Sequence, residues 1–145
     1  MNLSKLEILN ETASFYSEDV TRRATGRSDD CVYVKQVEGK EDQYCAFSRC
    51  CTPMGRLALQ AQCNESMGVI GAMSHLYQAG HVSNPDSADE ILEPRYRGHS
   101  INFWAEIQDV HDNSRNWNDD GLTEDGTKQV VRFRKKFTEE LESHD

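Results

Sequence analysis

Apolar positions recur at helical spacing along most of this chain and alternate at strand spacing in one stretch. Leu6, Leu9, Ala13 and Tyr16 fall on one stripe of a helix predicted over residues 4–17. Ser4 with Glu7 three residues later makes a capping box at its start, each side chain satisfying an orphan backbone N–H. Asp19 caps a further turn carrying Val20 and the pair Arg22-Arg23, and residues 25–30 read as a loop by composition. Next comes the strand-like stretch, residues 31–49, in which two runs rich in Val, Tyr and Phe flank a polar turn containing Gly39. Two registers are open. A turn over 38–41 sets Val37 against Asp42, with Cys45 beside Val34 and Cys31 on the other face. A loop over 37–41 shifts the pairing by one and gathers Cys31, Tyr33, Cys45 and Phe47 on one side, which favours it.

Thr52-Pro53 is a helix entry, a capping hydroxyl followed by Pro at the first helical position, with Met54, Leu57, Ala58, Ala61 and Cys63 as its buried stripe. A second helix over 65–79 ends at Gly80, and each of Gly68 and Gly71 weakens it by about 1 kcal/mol relative to Ala. Residues 81–89 form a loop around an Asn84-Pro85-Asp86 turn, and 90–92 a single helical turn stopped before Pro94. Ser100 opens a helix with Phe103, Ile107 and Val110 on one face and Trp104 and His111 at its border. Residues 113–121 read as a loop with Trp117 folded back as a plug. Thr123 then caps a final helix burying Val130, Phe133, Phe137 and Leu141. The result is a mostly helical α+β fold in one domain, 1–145, with four to five helices packed around one short antiparallel hairpin.

Composition narrows the function classes. A hydrophobic fraction of 37% and no long apolar run exclude a spanning helix, and the opening Met-Asn-Leu-Ser lacks the core of a secretion signal. Both point to the cytosol, where cysteines stay reduced, and the odd count of five argues against a paired framework. A net charge of -9 opposes generalised nucleic-acid binding. It suits a protein partner, or a small anion such as a nucleotide held by local arginines, and a second copy of the chain is a further candidate.

Three constellations bear on chemistry. Cys45 and Cys50 have zinc-pair spacing, and a site built from Cys31, Cys45 and either Cys50 or Cys51 needs a distant histidine as well. Buried thiols are the favoured reading, because free cysteine packs as a small hydrophobe. His111-Asp112 late in a helix is similar to the metal dyad of HD-type phosphohydrolases. That site needs further ligands, for which His75, His81, Asp119 and Asp120 are available but unmarked. The favoured alternative has His111 bonded at the core's edge and Asp112 capping the next turn. Lastly, Arg22, Arg23, Arg49, Arg95 and Arg97 sit beside predicted element ends, unlike the outward Lys128, Arg132, Arg134, Lys135 and Lys136. Arg97-Gly98-His99-Ser100 leads into a helix N-terminus, where free N–H groups favour an anion. Arg22, Arg23, Arg49, Arg97, His99, Trp104 and His111 are thus the candidate ligand-binding residues. No catalytic residue or cofactor is assigned.

Taken as a set, several motifs resemble a family of small proteins encoded by tailed bacteriophages and prophages. They are Tyr16 with Asp19 and Arg22-Arg23, then Cys31-x-Tyr33 and Cys45-Ala46-x-x-Arg49-Cys50. The second half adds Tyr96-Arg97-Gly98-His99, Phe103-Trp104, Gln108-x-x-His111-Asp112 and Asn116-Trp117. The likeness leaves out about residues 52–89, and Phe47-Ser48 stands where a smaller pair is expected. It implies a phage origin and expression in bacterial cytoplasm, and carries no activity. The expectation is an accessory protein that interferes with a host process or antiviral defence, by binding a host protein or sequestering a phosphate-bearing signal. A metal-dependent phosphohydrolase and a zinc-stapled interaction module are the alternatives.

Overall fold

The computed structural model of the chain describes residues 2–24, 32–63 and 67–143, with side chains as far as Glu140. The expected 25–30 loop, Cys31, Glu65 and the side chain of Leu141 lie outside that range. The first helix, α1 (Lys5–Glu18), carries the full capping box between Ser4 and Glu7, and Asp19 caps the short turn Val20–Arg22. Strands β1 (Val34–Lys35) and β2 (Gln43–Tyr44) pair antiparallel, Val34 opposite Tyr44 and Lys35 opposite Gln43. This is the register of the longer loop, and it buries Tyr33 and Cys45.

The hairpin is shorter than its alternation suggests. After Cys45 the chain turns into a helix, α2 (Ala46–Arg49), instead of continuing as a strand to residue 49. The Cys45 thiol accepts from the Ser48 amide at 3.4 Å, and the Ser48 hydroxyl donates to the Tyr33 carbonyl. These bonds close a helical turn where a strand would need ladder partners.

Helix α3 (Pro53–Cys63) starts as expected, with the Thr52 hydroxyl accepting from the Gly55 amide at 3.1 Å. Its orientation is the main departure. Gly55, Leu59 and Cys63 face the core, whereas Met54 and Leu57 are 77% and 61% exposed. Gly55 sets this, because a Cβ there would stand 2.7 Å from the Ile91 carbonyl oxygen. A side chain at that point would push the helix off residues 88–92, which the Thr52 amide grips through Ile91 O at 2.8 Å. Those residues form a turn and a bridge from Leu92 to Cys51 in place of the expected helical turn at 90–92.

Helix α4 (Val69–Gln78) begins after Gly68 and ends through Gly80 at φ +82°. Helix α5 (Ile101–Asp112), capped by Ser100, is the central element. It packs against α1, α2, α4 and the last helix, so Trp104 and His111 are fully buried and not at a border. Residues 113–121 are more ordered than a loop. A short turn (Ser114–Asn116) leads into a second hairpin, β3 (Trp117–Asn118) and β4 (Gly121–Leu122). Trp117 does plug the core, donating from Nε1 to the Val110 carbonyl at 2.8 Å. Helix α6 (Glu124–Ser143) buries Val130 and Phe137 and half-buries Phe133, which stacks on Phe137. Helices thus dominate, six among the described residues, with two small antiparallel hairpins.

Candidate functional site

The arginines singled out from the sequence are held by the fold itself. Arg22 donates to the Phe15 carbonyl at 2.8 Å and lies over the Phe15 ring. Arg23 donates from Nε to the His111 carbonyl at 3.0 Å, and Arg97 from Nε to the Leu92 carbonyl at 3.0 Å. Arg49 is deeply placed, its side chain only 12% exposed. It pairs with Glu11 at 2.8 Å and is stacked between the rings of Phe15 and Tyr96. Its Nε and Nη2 have no hydrogen-bond partner, and the flanking π faces take the place of acceptors. Burial raises the Glu11 carboxyl, but the Tyr96 hydroxyl bond and Arg49 outweigh it and hold the group below the usual range. This is an ion pair that ties α1 and α2 to the turn Pro94–Tyr96. It presents no fork to solvent.

His99 is likewise occupied, Nε2 standing 2.8 Å from the Leu3 carbonyl. Trp104 is buried among Phe47, Tyr96 and Phe103. The expected ligand set is therefore spent on separate joints of the fold and does not converge on one hollow. His111 and Asp112 do meet, Nδ1 to Oδ1 at 2.8 Å, and Asp112 also accepts from Gln108 at 2.7 Å. His111 Nε2 is buried with no hydrogen-bond partner, which favours the tautomer that carries the proton on Nδ1, facing Asp112. Burial pulls the His111 pKa down, with Asp112 offsetting part of the effect. No group of three or more His, Cys, Asp or Glu assembles with metal-binding geometry among the described residues.

The described thiols pack inward. Cys45 serves as the α2 cap, Cys50 donates to the Ala46 carbonyl at 3.5 Å, and Cys51 donates to the Phe47 carbonyl at 3.4 Å. Burial pushes Cys45 up to about 12 and Cys50 up to about 11, away from thiolate chemistry.

What sequence reasoning missed lies on α3. At about 100° per residue, Met54, Leu57, Ala58 and Ala61 share one face, roughly opposite the core-facing Gly55, Leu59 and Cys63. The helix is apolar on two sides, and on the outer one Met54 and Leu57 are exposed while Ala58 is half-buried against the core. Beside it runs a shallow groove of about 250 Å³ between the first hairpin and α3, with Val34, Tyr44, Pro53 and Leu57 in its lining. Arg56 fixes the groove wall. It donates to the Ser48 and Arg49 carbonyls, both at 2.9 Å, and stacks on Tyr44 at 4.3 Å. On α4, Ile70 and Tyr77 are also half exposed, seven residues apart and so on one face. The signal was present in the sequence as two apolar stripes on one helix.

A wider hollow of about 910 Å³ opens at the start of α6, but its Arg115, Lys128 and Arg132 are matched by Asp109, Glu124 and Asp125. Among the described residues, no helix is long and apolar enough to cross a membrane. Comparison with family models, with curated proteins and with solved structures finds no match to the chain.

Proposed function

We propose that this is a small phage-encoded accessory protein that does no chemistry of its own. It acts by seating a host protein on the outer face of α3, interfering with a host process or defence in the bacterial cytoplasm. The observation that carries this reading is the exposure of Met54 and Leu57 beside a groove whose wall is fixed. Apolar side chains displayed on a rigid helix face are the usual anchors of a protein interface. The alternative of sequestering a phosphate-bearing signal loses its motivation, because the arginines that suggested it are spent on Phe15, His111, Glu11 and Leu92. The resemblance to phage proteins supplies the setting.

A photoreactive amino acid placed at residue 57, and as a control at the exposed Glu139, tests the reading in bacterial cells. A discrete host adduct is expected from 57 alone. It should be lost with Met54→Ser and re-formed with the purified host protein. Adducts that are absent, or identical from both positions, refute the docking role.

A further inference from the structure

We infer that the hollow at the start of α6 is a separate binding site, for a small phosphate monoester that also carries hydroxyl groups. Arg115 and Arg132 close on its phosphate. The hollow shares no lining residue with the groove beside α3, so the inference stands apart from the docking role.

The argument begins with the arginines that the fold does not use. Arg22, Arg23, Arg49, Arg56 and Arg97 are held by backbone carbonyls or by Glu11. Arg95 donates to the Tyr96 hydroxyl at 2.6 Å and Arg134 to the Asn10 carbonyl oxygen Oδ1 at 3.0 Å. Among the described arginines, Arg115 and Arg132 are left with no side-chain hydrogen bond, ion pair or ring contact, and both line this one hollow. Its volume of about 910 Å³ lies in the range usual for small-molecule sites.

The floor between the two arginines is fixed. Asn116 and Gln129 line it, are 1% and 5% exposed, and bond to each other. Asn116 also donates to the Val110 carbonyl at 3.1 Å, and Gln129 to the Asp109 carboxylate at 2.6 Å. These bonds hold the turn that carries Arg115 against α6. Gly126 tightens the same joint, because a Cβ there would run into the Asn116 carbonyl oxygen. Arg132 follows Gln129 by three residues and so rises from the same face of the helix.

The acids of the hollow equal its cations in number but not in contact. Asp109 is engaged by Gln129, and Glu124 by Lys128 at 3.4 Å. Asp125, in the first turn of α6, has no side-chain partner. It would repel a bare anion. A ligand with a phosphate at one end and hydroxyls at the other offers the arginines an anion and Asp125 a donor. A carboxylate is matched by one guanidinium fork, whereas the three terminal oxygens of a phosphate monoester accept from two. The acids at its edge and the net charge of -9 disfavour a nucleic-acid strand.

Calorimetric titration of the full chain with ribose 5-phosphate, ribose and inorganic phosphate tests the site. Ribose 5-phosphate is expected to bind at least about tenfold more tightly than either of the others. Arg115→Gln and Arg132→Gln should each weaken it by about tenfold or more, and Arg132→Lys, which keeps the charge but not the fork, should recover only part. Lys135→Gln makes the same charge change at an exposed position of α6 outside the hollow and should leave binding unchanged. All four variants should melt with the parent, since none of these side chains bonds to the fold. No binding of ribose 5-phosphate, or equal binding of inorganic phosphate (an adventitious ion only), overturns the inference. So does a Lys135→Gln loss as large as that of Arg132→Gln, which would mark a diffuse field and not a site. A short single-stranded oligonucleotide bound more tightly than ribose 5-phosphate also overturns it, assigning the arginines to a nucleic-acid backbone.

Discussion

Gly55 in α3 and Gly71 in α4 both sit inside helices, and replacing each with alanine is expected to shift stability in opposite directions. Alanine favours a helix over glycine by about 0.8–1.0 kcal/mol at either site. At Gly71 the new Cβ would meet the Met67 Cγ at 3.4 Å, an ordinary contact on an exposed face, so nearly all of that gain survives. At Gly55 it would stand 2.7 Å from Ile91 O and 2.8 Å from Ile91 Cβ. Relieving this means moving α3 off the strap. Overpacking of that kind costs about 1–3 kcal/mol. Stretching the 2.8 Å bond from Thr52 N to Ile91 O adds about 0.5–1.5 kcal/mol. Subtracting the helix gain leaves Gly55→Ala destabilised by about 0.5–3.7 kcal/mol. In urea, with a slope of roughly 2 kcal/mol/M, the midpoint should fall by about 0.25–1.8 M for Gly55→Ala and rise by about 0.3–0.5 M for Gly71→Ala. If Gly55→Ala proved as stable as the parent, the close approach of α3 to Ile91 would be refuted. So would the account of why Met54 and Leu57 face outward.

Three further outcomes follow from buried groups. His111 is folded with a depressed pKa, so the unfolded chain takes up the proton first. Stability should be fully present above about pH 7, then fall as the pH drops through 6.5 towards the lower folded value, by at most about 1.4 kcal/mol per unit. Urea midpoints at pH 7.5, 6.5 and 5.5 should show this and His111→Gln should flatten it, whereas parallel profiles contradict the assignment. Glu11→Leu should cost about 2–4 kcal/mol because it strands the 12%-exposed Arg49 guanidinium. Arg49→Met should cost less, since Glu11 keeps the Tyr96 hydroxyl and reaches water, and a reversed order in chemical denaturation would remove the buried-pair account. Alkylation at pH 8 followed by peptide mapping should leave Cys45, Cys50 and Cys51 unlabelled until denaturant is added, and prompt labelling of any of them in the native protein would contradict their burial.

The fold was legible wherever a side chain closes a local hydrogen bond. Ser4, Asp19, Ser100 and Thr123 each accept from a backbone amide two or three residues on, so a short window of sequence contains the whole interaction. The register of the first hairpin was legible for a different reason, because only one pairing puts Tyr33 and Cys45 on a common buried face. The helix at Ala46–Arg49 was not. In a window of four residues the periods of strand and helix cannot be separated, and what decides is the Ser48 hydroxyl reaching Tyr33, 15 residues back. The second hairpin escaped for the same reason, its strands being two residues each.

The site was harder to read because its determinants lie far apart in the chain. Nothing near Arg49 in sequence announces Glu11, 38 residues away, and nothing near Arg23 announces the His111 carbonyl, 88 residues away. An arginine beside a helix end looks like an anion clamp until its distant acceptor is known. On α3 the sequence offered two apolar stripes, and the richer of them, with Met54 and Leu57, was read as core. The fold chose the stripe with Gly55, since only a residue without a side chain lets that helix close on the Ile91 backbone. Packing therefore leaves outside the larger apolar groups, held on a rigid helix beside a groove braced by Arg56. A helix whose better apolar face is turned away from its own core has that face available for another protein.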